Sequence, residues 1–107
     1  MIFIESTWFC AWRAANLDDE AYLRVQMLLI ERPTAGDIIR GSGGLRKLRV
    51  ALAGRGKRGG ARVIYYWWAS KDRCYLLQGY AKNVRSDLTA DQIKRLAAVM
   101  RKDLDDE

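Results

Sequence analysis

The chain has no histidine, one proline and two cysteines among its 107 residues. Without imidazole there is no Ser-His or Cys-His nucleophile pair, and most catalytic zinc sites lose a ligand they usually need. Cys10 and Cys74 stand far apart, cannot supply a four-thiolate site, and read as reduced thiols of a cytoplasmic protein. No apolar run approaches the ~20 residues of a membrane span. Met1 to Cys10 is interrupted by Glu5 and lacks a basic leader, so no signal peptide is expected there. Any enzymatic chemistry therefore falls to Lys, Arg, Tyr or a carboxylate, with neither cofactor nor metal expected.

Acid is missing in one stretch above all. Between Ile38 and Lys71 there is no carboxylate, but there are nine cations: Arg40, Arg46, Lys47, Arg49, Arg55, Lys57, Arg58, Arg62 and Lys71. The net charge of +6 is confined to this block, because the other residues hold 10 basic against 13 acidic side chains, or −3. The block also holds glycines and the aromatic run Tyr65, Tyr66, Trp67 and Trp68. A concentrated positive surface attracts polyanions by releasing their counterions, and nearby aromatic faces can stack on unpaired bases. Nucleic acid is the partner this composition favours.

The length and the 50% apolar content suit one folded domain over residues 1–107, with no linker and no internal repeat. Ile2–Glu5 reads as an opening strand. Ser6 or Thr7 then caps a short helix bearing Trp8, Phe9 and Trp12. Asp18 caps a second helix, with Leu17 and Tyr22 as its hydrophobic staple and Asp19 and Glu20 favoured at its start. Pro33 stops that helix near Arg32, and its apolar Met27-Leu28-Leu29-Ile30 turn is expected to be buried.

Residues 34–44 read as a loop. Leu45–Leu52 alternates, with Leu48, Val50 and Leu52 on one side and Lys47 and Arg49 on the other. A basic glycine-rich hairpin over 53–60 leads into the strand 61–68, and a turn at 70–73 leads into the strand 74–81. Thr89-Ala90-Asp91-Gln92 fits a capping box and Leu88 with Ile93 its staple, opening a helix whose Ile93, Leu96, Ala97, Met100 and Leu104 dock one face. The acidic end from Asp103 is expected to fray. The order β-α-α-β-β-β-α predicts an α+β domain: an antiparallel sheet of about four strands with helices on one face.

Gly54 to Gly60 invites comparison with a nucleotide-phosphate loop. It fails, because Ala51 replaces the first glycine and Arg58 the magnesium-holding hydroxyl. Lys47, Arg49 and Arg62 make the better constellation: two cations on one strand face and a third on the next strand of the same hairpin. An ordinary solvated face mixes both signs, and no acid lies near these three in sequence. Held together they repel, so a bound polyanion is the simplest compensation. Tyr66 shares the parity of Arg62 and is the candidate for stacking on a base. Lys82, Asn83 and Arg85 follow the last strand directly, where functional side chains often sit.

Three segments in order carry a likeness: Gly43 to Val50, Gly56 to Tyr66 and Tyr80 to Leu88. Together they resemble the RelE/HigB superfamily of type II toxins, and most closely its HigB-like branch. The resemblance implies a toxin that cleaves mRNA on the 70S ribosome and is neutralised by a co-encoded antitoxin, for this branch often of helix-turn-helix type. It also implies that Lys47 and Arg49 surround the scissile phosphate with Arg62 on the following strand. Asn83 and Thr89 stand nearest the positions where the RelE pattern has an arginine and a tyrosine, and Lys82-Asn83 resembles the HigB-like branch's own version.

A ribosome-dependent, metal-independent endoribonuclease is the resulting expectation. RNA brings its own nucleophile, the 2′-hydroxyl, so the protein must take its proton, stabilise the phosphate and protonate the leaving 5′-oxygen. Lysines crowded by other cations are the natural proton acceptors, which makes Lys47 and Lys82 the candidate bases. Arg49 and Arg62 would stabilise the transition state. Arg46, Arg55, Lys57, Arg58, Tyr66 and Arg85 would contact RNA or the ribosome. The alternatives are a toxin of ParE type, which inhibits DNA gyrase without cutting RNA, and a plain nucleic-acid-binding module.

Overall fold

The computed structural model describes residues 1–52, 60–82 and 87–106. Strand β1 (Ile2–Glu5) leads into α1 (Thr7–Asn16) and α2 (Asp19–Glu31). Then come β2 (Asp37–Ile38), β3 (Arg46–Val50), β4 (Ala61–Trp68), β5 (Arg73–Ala81) and α3 (Ala90–Asp106). The sheet has the order β1-β5-β4-β3-β2. β1 lies parallel to β5, and the other pairs are antiparallel. The architecture is thus α+β as expected, with a mixed sheet of five strands in place of an antiparallel one of about four.

Local chemistry sets the helix starts. Ser6 caps α1 by accepting from the Phe9 N–H at 3.0 Å, while its hydroxyl donates to the Leu77 carbonyl and pins the helix to β5. Asp18 caps α2 by accepting from Ala21 N–H at 2.7 Å, and the staple residues Leu17 and Tyr22 are both buried. The capping box of α3 is complete: Thr89 N–H donates to Gln92 Oε1 at 2.9 Å, and Gln92 N–H donates to Thr89 Oγ1 at 3.2 Å. That helix continues to Asp106, beyond the point where its acidic end was expected to fray. Leu104 lies outside the residues whose side chains are described.

The helices cover both faces of the sheet, not one. On the first face α1 and α2 pack Phe9, Tyr22, Val25 and Leu29 against Leu48, Val63, Tyr65 and Leu76. On the second, α3 packs Leu96 and Met100 against Leu45, Ile64, Tyr75 and Leu77. The alternation along β4 therefore splits its aromatics as the strand period requires, with Tyr65 and Trp67 on the α1/α2 side and Tyr66 and Trp68 under α3.

The α2 expectation also needs correction, because Met27 and Ile30 are exposed. Tyr22, Val25 and Leu29 already form the stripe that meets the sheet, and a helix with one neighbour buries one stripe only. Strand β2 falls inside the segment expected to be loop; its two residues carry no alternation signal and exist through pairing with Arg46 and Lys47.

Tyr65 fixes this edge. It is fully buried, its hydroxyl donates to Pro33 O at 2.8 Å and accepts from Gly36 N–H at 2.9 Å. A Cβ on Gly36 would come within 2.7 Å of the Tyr65 ring, so glycine is required for that approach. Cys10 is exposed and Cys74 buried, and both are free thiols. Among the described residues no helix is long and apolar enough to cross a membrane.

Candidate nucleic-acid interface

Two rows of paired residues cross the sheet on the α3 side. Arg49 stands opposite Arg62, which stands opposite Tyr80. One step along, Lys47 stands opposite Ile64, which stands opposite Gln78. Neighbouring strands lie roughly 4.8 Å apart, so Lys47, Arg49 and Arg62 form one compact cationic patch. Leu48, Val50 and Val63, the intervening residues, go into the core on the other face. The constellation read from the sequence is therefore assembled. Like charges directly opposite on neighbouring strands oppose folding, and Arg49–Arg62 is such a pair.

Acid does reach the patch, contrary to the expectation drawn from the sequence. Asp87, 40 residues from Lys47, places Oδ2 3.2 Å from its Nζ. Its Oδ1 accepts from the Tyr80 hydroxyl at 3.3 Å and from Leu88 N–H at 3.1 Å. Partial burial on its own would raise the Asp87 pKa. The hydrogen bond and charge of Lys47, with the bonds from Leu88 and Tyr80, outweigh it and hold the carboxyl below its ordinary value. Asp87 thus clamps the start of α3 across β4, from β3 to β5.

Asp87→Asn should cost little stability at neutral pH, at most about 1 kcal/mol, because the Asp87 side chain is more than half exposed. A carboxyl whose folded pKa is depressed contributes stability above its unfolded pKa, about 4, and loses it as the pH falls through the folded value. The difference in Tm between the native protein and Asp87→Asn should therefore begin to shrink at about pH 4 and vanish only once the pH is below the folded value, which lies under that. Thermal melts across pH 2–7 check this, and a difference that grows on acidification would contradict it.

The remaining predicted residues divide. Lys82 is exposed directly after β5, and its backbone N–H bonds the Gly60 carbonyl at 3.0 Å, so it flanks the Arg62 end of the patch. Arg46 is not brought to the patch. It has the parity of Leu48, and its Nη1 donates to the Gly36 carbonyl at 2.8 Å, bracing the turn before β2. Tyr66 shares the face of Arg62 but lies roughly 13 Å along the strand, half-buried among residues packed under α3. Arg55, Lys57, Arg58, Asn83 and Arg85 lie outside the described residues.

Sequence reasoning missed Asp87, Tyr80 and Gln78. Counting by twos along β5 from Tyr80 would have placed that tyrosine on the face of Arg62, had the pairing been known. Asp87 gave a weaker signal, as the first acid after Lys82 and Arg85. Among the described residues no group of three or more His, Cys, Asp or Glu side chains is placed to hold a metal ion. What the patch offers is fixed positive charge from two guanidiniums, a lysine with a carboxylate partner and a second lysine nearby. Such donors suit a phosphodiester.

Comparison with known proteins bears on the family and the fold. The family model described as "RelE toxin of RelE / RelB toxin-antitoxin system" matches residues 2–106. Among solved structures, a double mutant of the Escherichia coli toxin RelE in the free state superposes with a TM-score of 0.57. The match covers 92% of this chain and 95% of that one, at 13% sequence identity. At that identity the likeness speaks for the fold.

Proposed function

The chain belongs to the RelE toxin family, and from that premise we propose that it is the toxin of a toxin–antitoxin pair and cleaves mRNA on the ribosome. The observation that carries the reading is the Arg49–Arg62–Tyr80 row with Lys47 beside it. It is a cationic site on a rigid sheet, at the scale of one phosphate.

In this mechanism Arg62 and Arg49 hold the scissile phosphate and stabilise the charge that grows on it. One of the two lysines, Lys47 or Lys82, takes the 2′-hydroxyl proton as the neutral amine, and the ammonium of the other, the form that Asp87 favours for Lys47, gives a proton to the leaving 5′-oxygen. Asp87 is a positioning residue. A carboxylate held below its ordinary range is a poor proton acceptor, but it fixes Lys47 from one side. The donor set is ammonium and guanidinium rather than imidazole and carboxylate, which favours a reaction without metal. Asn83, Arg55, Lys57, Arg58 and Arg85 are proposed to extend the contact to mRNA and ribosome. Arg46 and Tyr66 keep that proposal only in a supporting place, given where their side chains point. Membership of the HigB-like branch, a helix-turn-helix antitoxin and action in the cytoplasm belong to the same proposal.

Induced expression followed by mapping of mRNA 5′ ends tests it. New ends clustered within codons of translated messages support the reading. DNA damage without new RNA ends would overturn it in favour of a gyrase inhibitor. A further expected result is that binding to 70S ribosomes weakens steeply with salt, by a factor of roughly 10³–10⁵ between 50 and 200 mM if six to ten phosphates are contacted. Filter binding across that range measures it, and a flat response would remove the electrostatic basis of the site.

A further inference from the structure

Beside the cationic patch, on the same face, lies a cavity of about 210 Å³ lined by Trp8, Gln78, Leu88, Gln92, Arg95 and Leu96. We propose that it is a nucleobase subsite, which takes one unpaired base of the message and prefers guanine to adenine. This inference rests on the RNA-cleaving reading for its place in the reaction, but not for its binding chemistry.

Position comes first. Gln78 ends the cross-strand row that begins at Lys47, two strand spacings or roughly 10 Å away. Leu88, which lines the cavity, follows Asp87, which touches Lys47. The start of α3 is therefore a wall common to patch and cavity, and a strand whose phosphate sits at Arg62 passes within reach of both.

The lining then fits a base. Trp8 is 45% exposed, an indole at the start of α1 that the core leaves in water. Single-stranded RNA is recognised by stacking bases on such rings and by hydrogen bonds to their edges. Both amides are oriented by their own chain. The Gln78 carbonyl oxygen accepts from Gly79 N–H at 3.2 Å, and that of Gln92 accepts from Thr89 N–H at 2.9 Å. Their NH₂ groups remain, and among the described residues neither these nor the Arg95 guanidinium has a carboxylate or carbonyl partner. The cavity thus presents donors and an aromatic face. Guanine offers two adjacent acceptors, O6 and N7, on one edge, whereas adenine sets a donor beside its N7.

The experiment has two arms. In the first, the full-length protein is titrated with 2′-O-methyl tetranucleotides, which cannot be cleaved, carrying one guanine or one adenine among uridines. Tighter binding of the guanine oligomer is expected. Trp8→Ala should weaken it roughly 5- to 150-fold, the range for loss of one stacked base, with only a modest fall in Tm because Trp8 is half exposed, so that the variant is still folded during the titration. Gln78→Glu, which keeps the acceptor for Gly79 and removes the donor, should erase the preference for guanine over adenine. In the second arm the 5′ ends produced by these variants are mapped; cleavage should persist with weaker dependence on one message position. Discrimination unaffected by both substitutions overturns the subsite even if the protein cuts RNA. Guanine binding that depends on Trp8 in a protein that never cuts RNA upholds the subsite and removes the endonuclease reading.

Discussion

Arg62→Ala is expected to abolish toxicity while the protein stays folded. Loss of one preorganised charge from a transition-state site typically slows a reaction roughly 100- to 1000-fold. Arg62 is placed for that role, midway between Arg49 and Tyr80 on a central strand. It is 9% exposed, and among the described residues no carboxylate pairs with it. A guanidinium withdrawn from water without a partner, and opposite another guanidinium, opposes folding. Its removal relieves that and leaves a small void in exchange, so the two effects offset and stability should move by no more than about 1 kcal/mol. Arg62→Lys is the informative companion. It keeps the charge but loses the planar fork, and should recover only part of the rate. A fully toxic Arg62→Ala would displace the site from this row. An inactive variant that also fails to fold would make Arg62 structural.

What could be read from the sequence follows how locally each feature is determined. Ser6, Asp18 and the Thr89–Gln92 box sit within a few residues of the N–H groups they satisfy, so the helix starts were legible. The split of Lys47 and Arg49 from Leu48 and Val50 follows from the strand period alone. By contrast, which face each helix covers depends on packing between distant segments. Hence the second layer formed by α3 and the exposed Met27 and Ile30 were not visible. The same reason hides the Lys47–Asp87 pair. A patch that looks free of acid along the chain gains one only when α3 folds back over β3. Arg46 shows the converse: its charge belongs to the basic block, yet its parity sends it to the turn before β2.

Phe9→Ala should have the opposite signature to Arg62→Ala, with large loss of stability and little change at the phosphate. Phe9 is fully buried, with ring centroids 6.1 Å from Trp12 and 5.8 Å from Tyr22. It is the residue through which α1, α2 and the sheet meet on the face away from the cationic row. Truncating a buried Phe costs about 3–5 kcal/mol through lost burial and the cavity left behind. A domain of this size has about 5–15 kcal/mol in total. At roughly 4–8 °C per kcal/mol, the Tm should fall by at least 12 °C. The rate per folded molecule, measured well below the transition, should stay near that of the native protein, because Lys47, Arg49 and Arg62 lie across the sheet on a separately packed face. Thermal melting with ribosome-dependent cleavage at low temperature measures both quantities on one preparation. An unchanged Tm would mean that α1 is not held as described. A collapse of the rate at full foldedness would mean that the two faces are coupled through the sheet, and that the site depends on the core behind it.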